Sequence, residues 1–188
     1  NMALTRARIV DSPLELAQKI SEIISRTLSA PRDPDQLRDD VATMRCRIAQ
    51  EHTGHSPWDI KYRPGGLIDI EFMAQYLMLR HGADTPGVLS TNTFEALGNL
   101  RDANYLETND AKILLETLRL WQKLQCILRL TSENSATETA MTVGQRNLLV
   151  RAGGVHDINA LEAEMDNAAD RVRTLFNIII ATESKETS

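Results

Sequence analysis

Two glycines, Gly65 and Gly66, stand just ahead of two carboxylates, Asp69 and Glu71, in the stretch GGLIDIEF. Such residues can form a divalent-metal site, an anion site at a helix start, or simply the capped first turn of a helix. On a strand, residues i and i+2 point the same way, but on a helix they diverge by about 200°, at ~100° per residue. The local secondary structure therefore decides whether the two carboxylates can act on one ligand.

The stretch that carries the carboxylates has a helical pattern with no internal Gly or Pro and without the β-branched enrichment of a strand. Its apolar residues are Leu67, Ile70, Met73, Ala74 and Leu77. We therefore reject the paired-carboxylate metal site. His52 and His55 are spaced like a metal pair, but no third ligand lies close in sequence, so we predict no metal site in this chain.

Two interpretations of the diglycine stay open from the residues alone. The free amides of the following turn can make an anion site, which Lys61 or Arg63 would reinforce. Alternatively, Pro64-Gly65 is an ordinary turn, and Asp69 in the first helical turn meets the helix dipole, worth about 0.3–1 kcal/mol.

Four arginines are further candidates for phosphate recognition. Arg6 and Arg8 project to one side only if their segment is extended, whereas Arg38 and Arg45 share a helical face. Arginines in such positions are most often surface residues in salt bridges, and we predict that role for them, with phosphate binding as the alternative. No Ser-His-Asp, Walker-type or Rossmann pattern is present.

The elements that position these residues are predicted to be helices throughout. Apolar periodicity, caps and breakers place helices at about 13–29, 67–80, 92–103 and 144–152. A second helix carries Leu37 to Ile48 and is expected to close at Gly54, and two long helices follow Thr108 and begin at Asp157. The fold class is therefore all-α, an antiparallel bundle of about six to seven helices with no sizeable sheet. The polar stretch 131–143 is a predicted loop or hinge, and the tail from residue 182 is expected to fray.

Composition narrows the class of protein further. The 188 residues carry a formal net charge of −5, which argues against a surface built for nucleic acid. The longest apolar run is far too short to span a membrane. Cys46 and Cys126 lie in strongly helical stretches and are predicted to be buried and reduced, as in a cytoplasmic protein. Asn1 ahead of Met2 indicates an excised boundary, so we expect a fragment of a longer protein.

Three stretches resemble one protein family. WDIKYRPGGLIDIEFMAQYLMLR, residues 58–80, resembles the motif that follows each nucleotidyltransferase domain of the bacterial bifunctional glutamine-synthetase adenylyltransferase/adenylyl-removing enzymes. MALTRARIV at 2–10 resembles the exit from the catalytic domain, and VATMRCRI at 41–48 resembles the family's next helix. The Asp-Ile-Lys before the diglycine and the Asp69 form of the motif resemble the C-terminal, adenylylating half. The remainder, 81–188, matches mainly as a helical pattern.

The resemblance implies a specific chemistry for the parent enzyme. It would transfer AMP from ATP to a tyrosine of glutamine synthetase, while its other half removes AMP by phosphorolysis. Mg²⁺ would be held by carboxylates of the preceding nucleotidyltransferase domain, and a PII-type signal protein and glutamine would regulate the balance. The related PII uridylyltransferases share the catalytic domain, but their hydrolase and small regulatory domains are not visible in this sequence.

The resemblance also divides the chain and assigns its residues. Residues 1–10 would be the remnant of the preceding domain, and 11–188 the helical bundle. The Gly-Ser loop and paired strand aspartates of the catalytic domain are missing, so we expect no catalytic residue, no tightly bound cofactor and no transferase activity in the chain alone.

Site residues follow from the same resemblance. Lys61, Gly65 and Gly66 would lie at the interface to the missing domain near the nucleotide, with Arg6 and Arg8 as further phosphate-proximal candidates. Asp69 and Glu71 would orient Lys61 or residues of the catalytic domain. The rival expectation is a regulatory or docking module that binds glutamine synthetase or the signal protein, in which the diglycine is purely structural.

Overall fold

The computed structural model describes residues 2–52, 56–131 and 141–180, and all regular elements in these ranges are helical. A short 3₁₀ helix, Met2–Arg6, precedes seven α-helices, and a second one, Pro86–Val88, lies between the third and fourth. The seven are α1 (Leu14–Leu28), α2 (Pro34–Glu51), α3 (Leu67–His81), α4 (Thr93–Asp102), α5 (Thr108–Thr131), α6 (Val143–Gly153) and α7 (Ile158–Ile179). The prediction of an all-α bundle is confirmed.

Local sequence explains where most helices begin. Asp33 caps α2 ahead of Pro34, and Asn92 and Asp157 cap α4 and α7 through their side-chain oxygens. Thr142 caps α6 in a capping box with the residue three positions on. Helix α3 differs, because its N-cap is Gly66 and no N-cap side chain supplies a hydrogen bond.

Helix α3 forms the centre of the bundle. Every residue from Leu67 to Leu79 is buried except Glu71, and α3 contacts α2, α4, α5 and α7. Helix α5 packs beside it through a buried stripe and also contacts α4, α6 and α7. That stripe comprises Leu114, Leu118, Trp121 and Leu124. A helix that is apolar nearly all round must be covered on all sides. The surrounding helices therefore fix the position of α3, which follows the diglycine.

The expected hinge at 131–143 falls largely on residues 132–140, which lie outside the described residues. Helices α6 and α7 beyond it pack on α5, and α7 also packs on α3. The described part of 144–180 is therefore joined to the main bundle. Gly54, which was expected to close α2, and the tail from residue 182 also lie outside the described ranges.

Two predictions about burial are wrong. Cys46 and Cys126 are exposed rather than buried. Cys46 lies about 140° round α2 from the buried Val41, and Cys126 lies about 200° round α5 from the buried Leu124, at ~100° per residue. Both thiols therefore point away from the faces that pack. Of the two α2 arginines, Arg38 is a surface residue that pairs with Asp35 at 2.8 Å, as predicted, whereas Arg45 is buried.

Candidate functional site

The backbone amides around the diglycine all have acceptors within the chain. Gly65 N–H donates to Asp69 Oδ2 at 2.6 Å. The next three amides donate to main-chain carbonyls: Gly66 to Arg63 at 2.9 Å, Leu67 to Ile60 at 3.0 Å and Ile68 to Lys61 at 3.2 Å. Gly65 and Gly66 are also buried. An anion would have to displace these bonds, so the turn presents no free amide in this structure.

Close packing explains why glycine is needed twice. Gly65 has a φ of +74°, and a Cβ there would lie 2.0 Å from the carbonyl oxygen of Ala169 on α7. A Cβ on Gly66 would lie 2.5 Å from the Ile60 carbonyl oxygen. Trp121 of α5 donates its indole N–H to the Gly65 carbonyl at 3.0 Å. Both polar groups of Gly65 are thus bonded inside the bundle, and its missing side chain lets α7 approach.

Asp69 joins three helices beneath this turn. Its side chain has no exposed surface, and it pairs with the Nε of Arg45 on α2, a residue that is only 4% exposed. Arg45 also donates through Nη2 to the Tyr62 carbonyl at 3.1 Å. Arg173 on α7 lies 3.8 Å from the other Asp69 oxygen. Because a buried carboxylate needs both charge and hydrogen-bond partners, Asp69 is committed to holding the fold.

Glu71 faces a different part of the surface. It pairs with Arg6 of the first 3₁₀ helix at 2.9 Å, with side-chain exposures of 23% and 52% respectively. The two carboxylates of the motif therefore bind separate arginines, as helical geometry requires. The segment that carries Arg6 is a 3₁₀ helix rather than extended, and Arg8 beyond it lines a cavity that Arg6 does not line. The structure does not bring Arg6 and Arg8 together on one ligand.

Lys61 is a candidate site residue with donors beyond those used inside the chain. Its Nζ donates to the Tyr62 hydroxyl at 2.8 Å and lies 4.6 Å from the centre of that ring. The Tyr62 ring in turn stacks on His52, with centroids 3.6 Å apart. An ammonium has three N–H donors, so further acceptors can be bound. Neither Asp69 nor Glu71 contacts Lys61; each pairs with an arginine instead.

A second contact ties the loop before the diglycine to α7. Arg63 donates to Asp166 at 2.7 Å and to the Pro57 carbonyl at 2.9 Å, and its guanidinium lies 5.6 Å from the Trp121 ring centre. Arg45, Trp121 and Ala169 were not foreseen as parts of this site. No local sequence pattern predicts their contacts with the turn, because these residues lie on three other helices.

The described residues do not fit a magnesium site of their own. Within 2–52, 56–131 and 141–180, no group of three or more His, Cys, Asp or Glu side chains could hold a metal ion. Asp69 and Glu71 are both engaged by arginines. The possible partner of His52, His55, lies outside the described residues.

None of the helices in the described ranges has the length and apolar character of a membrane-spanning segment.

Comparison with known proteins identifies the family of this chain. A family model described as GlnD PII-uridylyltransferase matches residues 17–180, which includes the diglycine turn, the six α-helices from α2 to α7 and most of α1. The chain belongs to this family. The GlnD PII-uridylyltransferase match thus covers the whole set of elements that encloses Gly65 and Asp69.

Individual proteins that are similar to the chain have an enzyme name that differs from the name of the family model. The chain is 41% identical over 184 residues to the bifunctional glutamine synthetase adenylyltransferase/adenylyl-removing enzyme of Rhodopseudomonas palustris strain TIE-1, covering 97% of the chain and 18% of that protein. The enzyme of the same name from Bradyrhizobium diazoefficiens is 40% identical over 96% of the chain and 18% of its own length. That from Xanthobacter autotrophicus is 35% identical over 98% and 19%. The resemblance seen in the motifs is confirmed, and the chain spans about a fifth of these relatives.

Proposed function

We propose that the chain is the helical part of an enzyme that transfers AMP from ATP to a tyrosine of glutamine synthetase. The observation that carries the proposal is the 41% identity over 97% of the chain to an enzyme named for that activity and for removal of the adenylyl group. The chain is assigned to the adenylylating half, on the form of its motif. Its whole length corresponds to 18% of the relative, so the reacting groups come from elsewhere in the polypeptide.

The part played by this chain is to complete the site beside a nucleotidyltransferase domain. Transfer at phosphorus needs cations that neutralise charge on the attacking and leaving oxygens. Mg²⁺ and ATP would be bound by that other domain, where the metal ion would supply most of this charge. Lys61 is the best-placed group of this chain to add to it, since it is only half-buried and keeps free donors beyond its bond to Tyr62. The proposed partners are glutamine synthetase, a PII-type signal protein and the preceding nucleotidyltransferase domain, in the cytoplasm.

The buried turn has a separate part in this proposal. In this proposal Gly65, Gly66 and Asp69 do not bind the nucleotide. They hold α3 and its preceding loop against α5 and α7, which sets the position of Lys61. Glu71 keeps Arg6, and with it the first 3₁₀ helix, beside α3. Rigid support of this kind is what a charged group needs in order to meet a phosphate in one geometry.

A kinetic test distinguishes a role of Lys61 in AMP transfer from a purely structural role. In the complete enzyme, Lys61→Ala removes a charge-assisted bond worth about 1.5–3 kcal/mol, so kcat/KM for ATP should fall by ~10- to 100-fold. Lys123→Ala, which removes an exposed lysine from α5, is the matched control and should leave kcat/KM unchanged. Unfolding midpoints should be alike for both variants. Equal kinetics for the two variants would leave Lys61 a purely structural residue.

One observation favours a second function. The amides of the diglycine turn are all satisfied internally, as they would be if the motif were only structural. The chain would then be a regulatory or docking module that binds glutamine synthetase or a PII-type protein. Capture of either protein by the 188-residue chain alone would favour this function. Protection of Lys61 by ATP, found only in the longer polypeptide, would favour the first.

A further inference from the structure

Helix α1 carries an apolar stripe that the bundle leaves uncovered. Leu16, Ile20 and Ile23 follow one another at intervals of four and three, which places them within about 60° of each other on the helix surface. Leu16 is 50% exposed and Ile23 53% exposed, and Ile20 is only partly buried. We call these three residues the α1 stripe. A stripe with this spacing has the form that packs against another helix.

The stripe is distinct from the face by which α1 meets the rest of the chain. The inner face carries Ser21, Ile24 and Leu28, of which only Leu28 is buried, with 7% of its surface exposed. Among the described elements, only the first 3₁₀ helix makes more than a marginal helix-to-helix contact with α1. The C-terminal end is held by Arg32, which donates to the Leu28 carbonyl at 2.8 Å. Helix α1 is therefore tethered at one end and along one edge, with its stripe turned outward.

A cavity of about 480 Å³ lies under the inner face and leaves room beside the helix. Its lining is mostly apolar, with Arg8 at the segment that leads into α1. The lining includes Leu4, Ile9, Ile24, Leu28, Met78 and Leu89. Apolar surface left open along two neighbouring faces of one helix is unfavourable in water and indicates a partner.

The length of the relatives indicates which partner this is. They match the chain over nearly its whole length yet are about five times longer, at 18% coverage, so most of such a polypeptide lies outside the described residues. A domain in the same polypeptide is present at an effective concentration of order millimolar, well above that of a second copy. Tethering therefore favours an intramolecular occupant for the stripe.

We propose that the α1 stripe and the adjoining cavity are the docking surface for a helix of another domain of the same polypeptide. The docked helix packs on Leu16, Ile20 and Ile23, and its side chains enter the cavity beside Arg8. Because the first 3₁₀ helix contacts both α1 and α3, and Arg6 in it pairs with Glu71, this docking also fixes the second domain relative to the loop of Lys61. The inference rests on the proposed function only for the existence of the longer polypeptide.

Thiol labelling of the complete polypeptide tests the docking. Ile23→Cys places a thiol on the stripe, and Glu22→Cys places one on the outer side of the same helix as the matched control. Peptide mass spectrometry reads each site separately from the native cysteines. The thiol at position 23 should react at least about tenfold more slowly than that at position 22, at every protein concentration. Equal rates would overturn the proposal, and so would a protection that disappears on dilution, which would mean a second copy.

A second variant tests the stripe as a unit. In the complete polypeptide with Leu16→Cys, adding Ile23→Asp should restore fast labelling at position 16, because a charge on the stripe breaks the docking. Ile178→Asp, at an equally apolar and 73% exposed position on α7, should leave labelling slow. Slow labelling after Ile23→Asp would contradict the proposal. A polypeptide with a protected stripe but no AMP transfer would overturn the proposed function and leave the docking intact.

Discussion

The buried carboxylate of the motif, Asp69, should be among the most sensitive side chains of this fold. Asp69→Asn keeps the shape and volume of the side chain but removes its negative charge. The asparagine can accept from Arg45 or from the Gly65 amide, but its NH₂ group then faces the donor that remains. One buried donor therefore loses its acceptor, and the Arg45 charge loses its counter-ion.

The magnitude follows from burial. Asp69 is fully buried and the Arg45 side chain is 5% exposed, so solvent cannot compensate for the lost charge. Breaking a buried ion pair from one side costs about 3–5 kcal/mol. The whole stability of a domain is about 5–15 kcal/mol, so Asp69→Asn should bring the chain close to unfolding.

Urea unfolding followed by far-UV circular dichroism measures this loss. With a slope of about 1–3 kcal/mol per molar urea, the midpoint should fall by ~1–5 M. Glu71→Gln is the matched control, since it removes the other carboxylate of the same motif. Its partner Arg6 is 52% exposed, so the expected loss is below about 1 kcal/mol.

Two results would refute this reasoning. If both variants lost the same stability, burial would not be what distinguishes the two carboxylates. If Asp69→Asn lost less than about 1 kcal/mol, the Arg45 contact would not hold α2 to α3.

Two further predictions concern the turn and the pH response. Gly65→Ala should cost at least about 2 kcal/mol in the same assay, because it adds a positive-φ penalty to a clash with Ala169. The control Gly154→Ala, at a residue with a φ of +70° and open space around it, should cost only about 1 kcal/mol. Equal losses of stability in the two variants would count against the clash. Burial, and next the neighbouring Arg80, lower the pKa of His81 from its usual 6.5, although Asp84 opposes them. The unfolded chain then binds the proton more readily than the folded chain, so stability should fall as pH drops from 6.5 toward that lowered pKa. His81→Gln should reduce this loss of stability. Urea midpoints that keep the full pH dependence in the variant would contradict the prediction.

The sequence predicts the helices well because their signals are local. Apolar periodicity and the absence of breakers mark α3, α5 and α7, and the caps Asn92 and Asp157 mark helix starts within a residue. The divergence of Asp69 and Glu71 also follows from helical geometry alone. These features depend on residues that are near one another in the chain.

The partners within the site could not be predicted, because they are distant in sequence. Arg45 lies 24 residues from Asp69, and Trp121 lies 56 residues from Gly65. A single sequence records which residues are apolar or charged but not which of them meet. The same limit explains the error at Cys46 and Cys126, since a helical pattern does not say which face the bundle covers.

The central claim is that this chain supports AMP transfer but needs the rest of the polypeptide to carry it out. Glutamine synthetase incubated with ATP and Mg²⁺ can be assayed for covalent AMP, with either the 188-residue chain or the complete polypeptide present. We predict AMP incorporation with the complete polypeptide and none with the chain alone. Incorporation by the chain alone, or none by the complete polypeptide, would contradict the claim.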